Sequence, residues 1–167
     1  VEIEALHGEI AFHDLLDDQI VVGDAKVTSR SVPHVGRTAG YRVEYAGVTV
    51  AYVSDHQEPT GSDHIAPSVL ELCAGAALVI HDAQYEPHEF AIKSDWGHCT
   101  VEYAVRVAAE SGAKRLALFH HDPSHDDDVI DRLLREAGGY AAGTSVTEVM
   151  AAAEGLTVAL SLASATA

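Results

Sequence analysis

Leu116-Ala117-Leu118-Phe119-His120-His121-Asp122-Pro123 is a run of four apolar residues that stops at three polar ones. A short apolar run bounded by turn residues reads as a strand buried on both faces, so this strand delivers two imidazoles and a carboxylate at its carboxyl end. The same arrangement occurs twice upstream. Ala77-Leu78-Val79-Ile80 runs into His81-Asp82, and Val48 to Val53 runs into Ser54-Asp55-His56. In layered α/β folds, sites form outside the carboxyl ends of strands, where loops converge. One His-Asp pair is explained by a cap or a turn; three at equivalent positions point to a metal or acid–base site.

Working outward, Ala25 to Val32 alternates apolar and polar residues, the period of a half-buried strand, and Pro33 ends it with His34 on the loop beyond. Tyr41 to Tyr45 and Val48 to Val53, joined by Ala46-Gly47, read as a hairpin. Ala66 to Gly75 is expected to be a short amphipathic helix. Thr100 is placed to cap a helix that stops at Gly112. Ser124 is read as the cap of a further helix, with Asp126, Asp127 and Asp128 in its first turn and Gly138-Gly139 as its stop. Ile130, Leu133, Leu134 and Ala137 supply its core face. Leu156 to Leu160 is expected to be the last strand, Ala163 to Ala167 a frayed tail, and Val1 to Leu6 a loosely alternating stretch.

The chain has 167 residues, 47% of them hydrophobic, with 26 acidic against 10 basic side chains and a net charge of −16. That is enough for one domain with a real core, and too apolar for a disordered acidic tail. The charge argues against a broad basic surface gripping nucleic acid. No apolar stretch approaches the ~20 residues that span a bilayer, so no membrane is expected. Cys73 and Cys99 form neither a disulfide framework nor a CxxC site, and a soluble cytoplasmic domain with reduced thiols is expected. Eleven histidines outnumber Lys and Arg together, and histidine is the commonest metal ligand.

At these residues the sequence resembles the metallo-β-lactamase-fold hydrolases, in the phosphodiesterase branch related to the tRNA 3′-processing endonuclease. The resemblance rests on Val32-Pro33-His34, Gly40-Tyr41-Arg42-Val43, Val50 to Asp55, Ile80-His81-Asp82-Ala83-Gln84-Tyr85, Asp95-Trp96-Gly97-His98-Cys99-Thr100 and Leu116 to Pro123. It implies an α/β fold: the second half of a four-layer αββα sandwich, with a mixed sheet and flanking helices. It also implies that His34 is a ligand of one metal, Asp55 a carboxylate bridging two, and His120 a ligand of the second. Imidazole and carboxylate suit Zn²⁺, with two ions expected and Mn²⁺ the alternative. Asp82 stands where the family has the Glu of His-Glu-Ala-Thr, and His98 falls in its His-Ser-Thr element. These two would be the catalytic pair, His98 serving the scissile phosphate and Asp82 orienting it, with His98 expected to lie away from the strand-end ligands.

The family's His-x-His-x-Asp-His motif is absent, and His7 and His13 lack its spacing. Residues 1–167 are therefore expected to be a single C-terminal half-domain, a fragment of a longer chain, with too few ligands to hold zinc well. The expected reaction is phosphodiester hydrolysis by a dinuclear-metal hydroxide. From the −16 charge, the expected substrate is a small, cyclic-nucleotide-like phosphodiester in preference to long nucleic acid, with a homo-oligomer left open. The rival readings are a thioester or lactam hydrolase on the same fold, and a non-catalytic half-domain with a binding or assembly role. Each assignment has a structural competitor: a loop cap for His34, an Asx-turn for Asp55, a buried core imidazole for His120. His121 is expected to be structural, Trp96 to be packed, and His56, His64, His88 and His125 to be surface residues.

Overall fold

A computed structural model of the chain describes residues 14–161. The expectations for Val1 to Leu6, His7, His13 and Ala163 to Ala167 lie outside the described residues. Seven strands form one sheet in chain order: β1 (Gln19–Val22), β2 (Ala25–Val32), β3 (Thr38–Tyr45), β4 (Val48–Val53), β5 (Leu78–Asp82), β6 (Arg115–Phe119) and β7 (Glu148–Ala151). β1 to β4 are an antiparallel meander, and β4 to β7 run parallel. Parallel neighbours need crossovers, supplied by α1 (Pro67–Cys73), then α2 (Pro87–Lys93) with α3 (Val101–Glu110), then α4 (Asp127–Ala141). This is the mixed α/β sheet with flanking helices that the resemblance implies.

The two faces of the sheet differ. Along β4, Ala51 and Val53 point at the helices; their partners Val79 and His81 on β5, and then Leu116 and Leu118 on β6, share that face. All six are buried, together with Val69 and Leu72 of α1 and Val105 and Val107 of α3. The other face carries two apolar rows across the ladders, Ile20–Val27–Val43–Val50 and Tyr52–Ile80–Ala117–Met150. No helix of the described residues covers it, and Tyr52 is exposed. A continuous apolar face of this kind is the surface that a second sheet layer buries in a sandwich.

Several boundaries differ from the sequence reading. β5 continues through His81 and Asp82 instead of ending at Ile80, because Ala83 N–H still finds Phe119 O. Asp126, not Ser124, caps α4, its side chain accepting Val129 N–H at 3.0 Å; the Ser124 hydroxyl is taken by Asp122 at 2.6 Å. Gly138 and Gly139 lie inside α4, which runs to Ala141 because Leu133, Ala137 and Ala141 are buried along one stripe. The last strand is Glu148–Ala151, paired with β6, whereas Leu156 to Leu160 is irregular. β1 and α2 were not foreseen; α2 has no buried residue and so no apolar periodicity to announce it. No helix of the described residues is long and apolar enough to cross a membrane, and both cysteines are free and buried.

Candidate metal centre and its histidine–aspartate pair

Because β4, β5 and β6 are parallel and in register, with Val53 opposite His81 and Asp82 opposite Phe119, their polar ends converge on one edge. Asp55 and His120, just past β4 and β6, both have left-handed backbones, with φ of 53° and 60°. Asp and His tolerate that region better than most residues, and strained backbone of this kind clusters at functional sites. Here it turns both side chains back over the strand ends. His120 Nε2 donates to Asp55 Oδ1 at 3.0 Å, and Ser54 Oγ bonds Asp55 Oδ2. Partial burial pushes the Asp55 carboxyl up, but these bonds from Ser54 and His120 outweigh it and leave it below its ordinary value.

His34 enters from the loop after β2. Gly97 makes room for it: a Cβ there would lie 2.5 Å from His34 Nε2, and its φ of +103° is one that side-chain-bearing residues avoid. One ligand atom each from His34, Asp55 and His98 lies within 4.8 Å of the others. Of the three metal residues read from the sequence, Asp55 lies beside both others, its carboxylate in one cluster with His34 and 3.0 Å from His120, while the third member of that cluster is His98. His98 differs from expectation. It was expected to stand apart from the strand-end residues, yet its ring centroid is 4.8 Å from that of His120 and 5.7 Å from that of His34. The Thr100 cap explains this: Thr100 Oγ1 accepts Tyr103 N–H while Glu58 holds both Thr100 N–H and Oγ1, which turns the chain back over the strand edge.

Asp82 is fully buried and heavily bonded. Its Oδ2 accepts His98 Nδ1–H at 2.7 Å and His56 N–H at 3.1 Å, and its Oδ1 accepts Gln84 N–H at 3.2 Å. The bond to Asp82 raises the His98 pKa above the ordinary imidazole value, against the opposing effect of burial. With Nδ1 so engaged, Nε2 is the nitrogen His98 has left for a ligand or a proton.

Three expectations for other residues are corrected. His56, read as a surface residue, is fully buried, because it follows the Asp55 turn inward beneath the strand ends. His125, also read as surface, has a side chain only 5% exposed, held by Glu89. Trp96, read as packed, is 60% exposed, since the Gly97 turn orders His98 inward and leaves its neighbour outside. His64 and His88 are exposed as read. The signal missed for His56 was its place directly after a strand-end turn, like His121 after His120.

The donor chemistry fits a divalent cation: two imidazoles and a carboxylate on one footprint, a third imidazole bonded to that carboxylate, and a glycine cradle around His34. The family described as Beta-lactamase superfamily domain matches residues 5–121, and that fold implies divalent metal binding. A ribonuclease Z of Brevibacillus brevis is 36% identical over 69 residues, 41% of this chain and 22% of the relative. Among solved structures, the metallo-beta-lactamase fold protein YhfI of Bacillus subtilis superposes with a TM-score of 0.64 at 24% identity, covering 86% of this chain and 52% of that one. Zn(2+)-bound PqqB of Methylobacterium extorquens superposes with a TM-score of 0.67 at 17% identity, covering 87% and 54%. The chain thus spans about half the length of these structures, and its matched stretch about a fifth of the ribonuclease.

The relatives correct one expectation. The expectation of a small substrate in preference to long nucleic acid is contradicted by relatives named ribonuclease Z, enzymes whose name states that they act on RNA. The charge argument failed because net charge is a sum over the chain, whereas RNA is engaged through local contacts.

Proposed function

The chain belongs to the beta-lactamase superfamily, and on that premise we propose that it is the C-terminal half of a metal-dependent phosphodiesterase acting on RNA. The observation that carries this is the His98–Asp82 bond of 2.7 Å set beside His34, Asp55 and His120. His34, Asp55 and His120 would hold the metal, zinc being the ion their donor types suit. When bound, the metal supplies the acidity that ionises a water near neutral pH and positive charge opposite the phosphoryl oxygens. Asp82 keeps the proton of His98 on Nδ1 and favours the charged ring, so Nε2 hands a proton to the leaving oxygen of the broken phosphodiester. The RNA assignment is supported by the relatives' names, and the half-domain assignment by the apolar sheet face that no helix of the described residues covers.

The test uses the longer protein that includes the upstream half, assayed on a structured RNA and on bis(4-nitrophenyl) phosphate, with and without a chelator. The expected result is cleavage that the chelator abolishes and zinc restores, and no turnover by residues 1–167 alone. Cleavage insensitive to the chelator, or robust turnover by the 167-residue chain, would sink the reading.

A further inference from the structure

We propose that the imidazole of His56 is a positioning residue: through His81 it fixes Asp82, and through Asp82 it fixes His98. The inference rests on the assignment of His98 and Asp82 above. His56 and His81 are both fully buried, and His56 Nδ1 lies 3.1 Å from His81 Nε2. The proton positions follow from the partners. His81 Nδ1 lies 2.6 Å from the Asp82 carbonyl oxygen, which only accepts, so His81 carries its hydrogen on Nδ1. Burial keeps that ring neutral, which makes its Nε2 an acceptor and His56 Nδ1–H the donor. The Asp82 carbonyl thus sets the His81 tautomer, and His56 Nδ1–H pins the ring in place by donating to its Nε2.

His56 holds Asp82 by two arms. Its backbone N–H donates to the Asp82 carboxylate at 3.1 Å, and its ring, by way of His81, holds the Asp82 carbonyl. The Cys99 thiol, next in sequence to His98, donates to the same carbonyl at 2.9 Å. The Tyr103 ring packs on both imidazoles, with centroids 5.5 Å from His56 and 6.4 Å from His81, and fixes their planes. A residue serving only to fill space would be apolar here, since a buried polar ring is unfavourable unless its bonds are used, and His56 Nε2 is buried with no partner. The bond the ring makes is on its Nδ1 side.

The experiment compares His56→Leu, His56→Asn and His56→Gln in the longer protein. An Asn amide places a donor close to where Nδ1 stands, whereas the Gln amide reaches toward Nε2. For His56→Leu and His56→Gln the expected result is a kcat lowered by about 10-fold or more, with KM and bound metal unchanged, and for His56→Asn most of the rate restored. In parallel, imidazole ¹⁵N spectra of each variant report tautomers without any turnover. His81 Nε2 should show the shift of a hydrogen-bonded acceptor in the parent and in His56→Asn, and lose it in the other two, with the hydrogen staying on Nδ1. Parental kcat and spectra in His56→Leu, or equal impairment of Asn and Gln, would overturn the proposal. If His56→Leu does not fold, the Asn–Gln contrast still decides. Should the protein cleave no phosphodiester, the spectra test His56 alone, so the two failures are distinguishable.

Discussion

His34, Asp55 and His98 bring three ligand atoms within 4.8 Å of one another, and so do Glu86, Glu89 and His125. By composition the second group, with two carboxylates, looks the better cation site. Its bonds say otherwise. Arg132 lies 2.6 Å from Glu86, Glu89 accepts the Glu86 N–H at 2.8 Å in the capping box of α2, and His125 donates to Glu89 at 2.9 Å. With Lys93 on Asp122 at 2.8 Å, these pairs fasten α2, which has no buried side chain, to the segment after β6 and to α4. In the first group the Asp55 carboxylate faces histidines and one hydroxyl. An imidazole can give up its proton and become a ligand near neutral pH, whereas a guanidinium cannot. What already neutralises a carboxylate decides whether it can take a metal.

The largest expected effect separates the two groups directly. In the longer protein Asp55→Ala should lose its metal, and its activity with it, because no other carboxylate lies between the imidazoles. Glu89→Ala should keep metal and rate, and lose about 1 kcal/mol of stability with its cap. Metal analysis and thermal melts of both variants check this, and metal loss from Glu89→Ala would erase the distinction.

Next in size, His98→Ala should lower kcat by about 10²–10⁴-fold, as expected for removal of a proton donor, while bound zinc falls far less. The position of His98 among the ligands makes this a sharp measurement: zinc content and kcat determined on one sample tell a donor from a ligand. If the metal is stripped, His98 belongs to the ligand set.

A smaller effect is expected at Gly97. A Cβ there collides with His34 and also strains a φ of +103°, so Gly97→Ala should displace the ring and weaken zinc about 10- to 100-fold without abolishing it, an effect of the size seen when a ligand's support is lost. Competition with a chelator measures this, and parental affinity would mean that His34 is no ligand.

The smallest effect belongs to Arg132→Met. Removing the guanidinium frees Glu86, so the second group should acquire weak Co²⁺ binding visible by absorption, with a slight drop in Tm. No cobalt signal above that of the parent would mean that Arg132 is not what keeps the group closed to metal.

The elements carrying an apolar period were legible in the sequence: β2, the β3–β4 hairpin, α1, α3 and β6 are where Ala25–Val32, Tyr41–Val53, Ala66–Gly75, the Thr100 cap and Leu116–Phe119 put them. The meeting of Asp55 and His120 was legible too, because parallel strands deliver their carboxyl ends to one edge, and His34 joins Asp55 because β2, two strands away in the meander, runs the same way as β4. What escaped was held by partners distant in the chain. α2 depends on ion pairs to residues 29 to 46 positions away, and β1 on pairing with β2 alone. His56 looks like any polar residue after a strand until the left-handed turn at Asp55 sends it inward.

By itself the sequence determined which residue types arrive at the strand ends, since hydrophobic period and breaker residues are local and a strand stops where its apolar run stops. Only the tertiary structure decided what each of those residues does with its neighbours. Whether a carboxylate meets an imidazole or a guanidinium, and whether a histidine ends in solvent or beneath Tyr103, depends on contacts closed across tens of residues, and a hydrogen bond acts only over about 3 Å.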